Sequence, residues 1–177
     1  MDETVEIAIF DLDGTLIFQD SLYEQIKAVL RFSKSKFFSC LFTLVSKGRV
    51  HFKERVFQIN EDYDKNIFSF RNIRINPLVY NEYNKYKESG VRIIVATAAY
   101  YKTAEKVLNK IKIYPDLLIG TNKDNLKGHA KLSSLQPHIK SSTWAYYGDS
   151  KSDVPLFKAA DLPYKVTPNS INRLNKL

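Results

Sequence analysis

An apolar run, Val5 and then Ile7-Ala8-Ile9-Phe10, ends abruptly in Asp11-Leu12-Asp13-Gly14-Thr15. Such a run reads as a strand buried on both faces, which is the pattern of a parallel sheet. Asp11 and Asp13 then stand at its carboxyl end, and their period-two spacing points both side chains the same way while the chain stays extended. Two like charges so close need a cation between them or a proton on one of them. Gly14 permits a tight turn and brings backbone N–H groups within reach of an anion. Taken alone, such a pair reads equally well as solvated turn residues or helix caps.

Three later segments bear on the choice, and two of them repeat the plan. Gly90 to Thr97 is an apolar strand that ends in a small hydroxyl residue, followed by Ala98, Ala99 and Tyr100 and a helical stretch. By itself Thr97 reads as a helix N-cap, and the functional alternative is a phosphate contact at a helix N-terminus. Ser142 to Gly148 leads into Asp149-Ser150-Lys151-Ser152-Asp153, which places Asp149 at a strand end and Asp153 in the first turn of the next helix. Acids there are stabilising without any ligand, and Asp149 is also a ligand type for a hard cation. Between them lies Asn125-Leu126-Lys127-Gly128-His129-Ala130-Lys131, where either lysine could face a phosphorylated group or simply solvent.

The order and spacing of these four segments resemble the haloacid dehalogenase (HAD) superfamily. Its signature is D-x-D-G-T, a strand-terminal Ser or Thr, a Lys, and G-D-x-x-x-D. The resemblance extends over essentially the whole chain and is closest to the phosphoserine-phosphatase-like branch. It is also similar to HAD domains fused to prenyltransferases of the ubiquinone-biosynthesis type. It implies a Mg²⁺-dependent phosphatase. Asp11 would be the nucleophile that forms an aspartyl-phosphate, and Asp13 the general acid and base. Asp11, Thr97, Ala98 and Lys131 would hold the phosphate. Asp11, Asp149 and the backbone carbonyl of Asp13 would hold the metal, with Asp153 in support. The G-x-x-K pattern selects Lys131 over Lys127. A phosphotransferase or mutase on the same site is the alternative. So is a non-catalytic phosphoaspartate module, which the motif order and the long insertion disfavour.

The expected fold is an α/β three-layer Rossmann-like parallel sheet, with a core at 1–17 and 76–177 and a helical C1-type cap at 18–75. Strands are expected at roughly 5–10, 91–96, 117–120, 143–148 and 163–166, with helices near 78–89, 101–111, 128–136, 152–160 and 169–175. Alternating strands and helices give a sheet covered on both faces, with ligands bound beyond the carboxyl ends of its strands. The three acid or hydroxyl motifs converge on that edge. A length of 177 residues fits one core with an inserted module.

Charge narrows the partners. The chain carries a formal +8, and between Lys27 and Arg55 eight Lys/Arg stand against the single acid Glu54, interleaved with Phe32, Phe37, Phe38, Phe42 and Phe52. The plain explanation is a cap core of aromatics under a solvated basic surface. The sharper one is a lid for a small anionic, partly apolar phosphorylated substrate, or a peripheral membrane contact, with Lys34, Lys36, Lys47 and Arg49 contributing. No nucleic-acid motif is present, so no nucleic-acid partner is expected. One cysteine, Cys40, excludes an internal disulfide framework. The stretch Phe37–Val45 is too short to span a bilayer. The acidic Met-Asp-Glu-Thr start is unlike a secretory signal, and the expected location is cytoplasmic.

Overall fold

A computed structural model describes residues 4–63 and 72–175. The strands β1 (Ile7–Phe10), β2 (Arg92–Tyr100), β3 (Leu117–Thr121), β4 (Trp144–Gly148), β5 (Leu162–Thr167) and β6 (Ser170–Arg173) form one sheet in the order β3-β2-β1-β4-β5-β6. The first five are mutually parallel, and β6 runs antiparallel to β5 at the edge. The helices are α1 (Ser21–Phe32), α2 (Lys34–Tyr63), α3 (Pro77–Glu88), α4 (Tyr101–Ile111), α5 (His129–Ile139) and α6 (Val154–Ala159).

Strand alternation builds two cores. Ala8, Phe10, Val95 and Tyr147 face one way, against Val79 and Tyr83 of α3 and Val107 and Leu108 of α4. Ile7, Ile9, Ile94 and Tyr146 face the other way, against Leu135 of α5 and Leu156 of α6. This is the expected three-layer arrangement, because a strand buried on both faces needs helices on both sides.

The chain leaves the core at Leu16–Phe18 and returns at Arg74–Asn76. There Phe18 N donates to Arg74 O at 3.0 Å and Asn76 N to Leu16 O at 2.9 Å. Between these paired backbones α1 and α2 pack on a cluster of their own, formed by Val29, Cys40, Phe52, Val56 and Ile59. Within α2, Gly48 takes φ 83°, a left-handed conformation that breaks the helix direction there. Residues 64–71 of the expected cap lie outside the described residues.

Two expectations need correction. The segment 169–175 is not a closing helix: Ser170–Arg173 is strand β6, with Val166 facing Ile171 and Thr167 facing Ser170. Pro168 and Asn169 form a two-residue turn, and Ile171 packs against the core, so pairing with β5 outweighs the local helical preference. The strand expected at 91–96 runs on to Tyr100, with a register shift against β3 between Ala96 and Tyr100. An irregularity of this kind redirects side chains, and it falls at Thr97.

Candidate active site

β1 lies between β2 and β4, where the strand order reverses direction from the middle of the sheet. Crevices in open α/β sheets form at the carboxyl ends of strands at such a switch point. A cleft of roughly 460 Å³ opens there. Asp11 and Asp13 line it after β1, Thr97 and Ala98 on β2, and Asp149 after β4.

Asp11 sits at the base, 8% exposed. Its Oδ1 accepts from Leu12 N at 2.8 Å, and its Oδ2 lies 3.2 Å from Lys131 Nζ. Burial pushes its carboxyl up to about 6 against the pull of Lys131. Lys131 is 1% exposed, and its Nζ also donates to Asp153 Oδ1 at 3.0 Å and to the Tyr146 hydroxyl at 3.2 Å. Burial opposes its charge, yet Asp11 and Asp153 hold its pKa above the ordinary lysine value. Lys127, by contrast, is exposed at the rim of the cleft. The lysine that the family's G-x-x-K pattern selects is thus the buried, ion-paired one, and the other lies at the surface.

Asp13 turns toward α1. Its Oδ1 accepts from Ser21 N at 3.0 Å and its Oδ2 from Ser21 Oγ at 3.1 Å. Burial first, and then repulsion from Asp20, raise its carboxyl to about 8. Thr97 does not cap α4, whose N-cap position is Tyr100. Instead Thr97 Oγ1 accepts from Ala99 N at 3.0 Å within the irregular turn of β2.

Asp11, Asp149 and Asp153 each offer a carboxylate oxygen, and these three oxygens lie within 4.8 Å of one another. Asp149 is raised by burial and by Asp153. Gly14, at φ +72°, has no Cβ, and one placed there would lie 2.2 Å from Asp149 Oδ2. Only glycine permits this approach of the turn to the carboxylate. The crowded carboxylates of Asp11 and Asp149, whose pKa values burial raises, fit a divalent cation, whose charge would relieve the repulsion.

The expected metal set took only the backbone carbonyl from Asp13, and the Asp13 carboxylate is engaged by α1. Asp153 joins the cluster, although both its oxygens are already engaged. Oδ1 accepts from Lys131 and Tyr146, and Oδ2 from Ser150 N at 3.0 Å and Ser150 Oγ at 2.8 Å. Burial would raise Asp153, but Lys131 and these donors hold it below the usual carboxylate range. Asp153 is therefore a brace between Lys131 and the Asp149 turn.

The sequence did not single out Lys53 of α2. Its Nζ donates to Ala98 O at 2.5 Å and to Asn125 Oδ1 at 2.5 Å, which ties the helical insertion to the turn after Thr97. Burial and Arg49 lower its pKa to about 8. Arg49, Lys53 and Lys127 give the outer cleft a cationic rim. Of the basic residues expected at the site, Arg49 lines the cleft, whereas Lys34 and Lys47 are exposed away from it. No local signal marks Lys53, because its role depends on where α2 lands.

A curated protein of Sinorhizobium fredii, "Uncharacterized protein y4nM", is 27% identical over 157 residues, covering 86% of this chain. The chain spans only 28% of that relative's length. A solved structure of a protein of unknown function from Bordetella pertussis Tohama I superposes with a TM-score of 0.61 at 14% identity, covering 90% of this chain and 89% of that one. A phosphoserine phosphatase solved as a phospho-aspartyl intermediate analogue gives 0.58 at 16% identity, covering 91% and 86%. These likenesses show the fold. The family model described as haloacid dehalogenase-like hydrolase matches residues 8–158, which contain all four motifs and both sides of the cleft. The chain belongs to the haloacid dehalogenase-like hydrolases.

Proposed function

We propose that this hydrolase is a Mg²⁺-dependent phosphatase that cleaves a small phosphomonoester through an aspartyl-phosphate on Asp11. The observation that carries the reading is the placement of two acids in one cleft with different partners. Asp11 is buried with its Oδ2 3.2 Å from the Lys131 ammonium, and Asp13, two residues on, is held by Ser21 of α1, where burial raises its carboxyl.

Asp11, ionised, attacks phosphorus. The Asp11 oxygen–phosphorus bond forms as the bond from phosphorus to the leaving alkoxide oxygen breaks. Asp13 gives that oxygen its proton. Asp13, now a carboxylate, takes a proton from water, and the water oxygen attacks phosphorus to release phosphate and free Asp11. Thr97 and Ala98 hold the phosphoryl oxygens, and Lys131 stabilises the charge that gathers on them. Asp11, Asp149 and the Asp13 backbone carbonyl are the ligands for Mg²⁺, with Asp153 as brace. When bound, Mg²⁺ supplies positive charge to the transferring group.

The insertion at 18–75 acts as a C1-type cap over the core at 1–17 and 76–177. The Arg49, Lys53 and Lys127 rim suits an anionic substrate. The buried thiol of Cys40 is compatible with a reducing, cytoplasmic setting.

The test uses p-nitrophenyl phosphate with and without chelator, together with trapping of labelled phosphoenzyme. We expect hydrolysis that chelation abolishes, label on Asp11, no label in Asp11→Asn, and residual label in Asp13→Asn. Chelator-resistant turnover would refute the metal assignment. Label on Asp13 would reverse the roles of the two acids.

A further inference from the structure

Helix α2 carries apolar side chains on opposite sides. Phe37, Cys40 and Leu44 pack into the core of the insertion. Phe38, Phe42 and Val45 recur at helical spacing on the other side and are 65%, 73% and 88% exposed. Leu30, near the end of α1, is 43% exposed. A helix that is apolar all round is ordinarily buried, and a contiguous exposed apolar patch marks an interaction surface.

The surrounding charge says what covers it. From Gln25 to Lys53 there are seven Lys/Arg and no acid. The polar residues interspersed along the outward side, Ser35, Ser39 and Ser46, are uncharged. Of these cations Lys27 pairs with Glu24 and Arg49 and Lys53 belong to the cleft, but Arg31 and Lys34 are exposed at the start of α2. Protein interfaces are depleted in lysine, whereas an apolar stripe with such cations beside it and no acid matches an anionic lipid surface. No helix among the described residues is long and apolar enough to cross a membrane. The stripe ends at the Gly48 break, so it suits a short segment lying in the headgroup layer rather than a span.

We propose that the outward face of α2, Phe38, Phe42 and Val45 with Lys34 on the same side and the exposed Arg31 three residues before it in the chain, docks this protein reversibly on anionic lipid bilayers. This does not depend on the phosphatase reading, since none of these residues lines the cleft. Arg49, which does line it, follows the stripe by four residues, so docking brings the cleft rim close to the bilayer surface.

The experiment is co-sedimentation of the full chain with vesicles of phosphatidylcholine alone and of an equimolar mixture with phosphatidylglycerol, in low and high salt. Binding to the mixed vesicles is expected, weakened by salt, with little binding to phosphatidylcholine. Each basic residue near an anionic surface is worth about fivefold in affinity, so Arg31→Gln with Lys34→Gln should weaken binding roughly twenty-five-fold. Phe38→Ser, Phe42→Ser and Val45→Ser together should weaken it at least about tenfold. Circular dichroism checks that these surface variants stay folded, and the charge pair is the reserve should the serine triple misfold. Failure of the wild type to bind mixed vesicles would overturn the proposal. So would a folded serine triple that binds like wild type. Lipid-free self-association that the serine triple abolishes would also overturn it, by assigning the stripe to a second copy of the chain.

Discussion

Replacing Asp13 by Asn should stabilise the metal-free protein while removing its acid–base chemistry. The Asp13 carboxyl is raised from 3.8 to about 8, first by burial and then by Asp20. The folded chain therefore keeps a proton that the unfolded chain releases. Between about pH 4 and pH 8 this makes folding progressively less favourable as pH rises, and above about 8 the penalty levels off. The penalty grows by about 1.4 kcal/mol per pH unit, which gives about 5 kcal/mol at pH 8, or about 3 kcal/mol after allowing for water that reaches the carboxylate through the cleft. Asparagine keeps the shape and the partners. Its oxygen can accept from Ser21 N, now 3.0 Å from Asp13 Oδ1, and its amide can donate to Ser21 Oγ, now 3.1 Å from Oδ2. For a chain of this size 1 kcal/mol moves the melting midpoint by about 2–4 °C, so Asp13→Asn should melt roughly 6–12 °C higher than wild type at pH 8 in chelator. At pH 5 the gap should shrink to about 2–4 °C. Thermal unfolding followed by circular dichroism across this pH range measures it. An equal or lower midpoint for the variant at pH 8, or a gap that does not widen with pH, would refute the reasoning.

Lys131→Met leaves Asp11 and Asp153 buried without their cation, so it should cost about 3–5 kcal/mol at neutral pH. Asp153, held low in the folded state, contributes stability above about pH 4 that is lost on acidification, so denaturant midpoints of wild type and Lys131→Met should converge in acid. Lys127→Met, at an exposed position, should change stability by less than about 0.5 kcal/mol in the same titration. Gly14→Ala would force a Cβ to 2.2 Å from Asp149 Oδ2 at φ +72°, and should lower Mg²⁺ affinity by at least about tenfold, as read by calorimetry. With an alkyl phosphate, kcat/KM should fall above about pH 8 as Asp13 loses the proton that the leaving group needs. With an aryl phosphate that limb should be weak, and identical profiles for the two substrates would remove Asp13 from the acid role.

The fold and the inner site were largely legible because both are written in local patterns. A two-sided apolar run specifies a buried strand, and the residue after it is placed at the sheet edge by the chain itself. Asp11, Thr97 and Asp149 could be assigned to one edge without knowing any contact. Lys131 followed only from the G-x-x-K pattern of the family that the motifs resemble. The remaining features depend on where separate elements meet. The Asp13 carboxylate is claimed by Ser21 because α1 begins there, and Asp153 joins the acidic group because its 3₁₀ turn folds back onto Lys131 and Tyr146. Lys53 reaches Ala98 across 45 residues of sequence only once α2 is laid over the sheet. The segment after Pro168 became a strand because the edge of β5 offered hydrogen bonds that an isolated segment lacks. In α2 both apolar sides are visible in the sequence, but only packing decided that Phe37, Cys40 and Leu44 face inward and Phe38, Phe42 and Val45 outward. Sequence determined what most segments are, the one after Pro168 excepted, because periodicity acts through adjacent bonds. Tertiary structure decided which groups share a charge, a proton or a surface, because those energies depend on distances between residues remote in the chain.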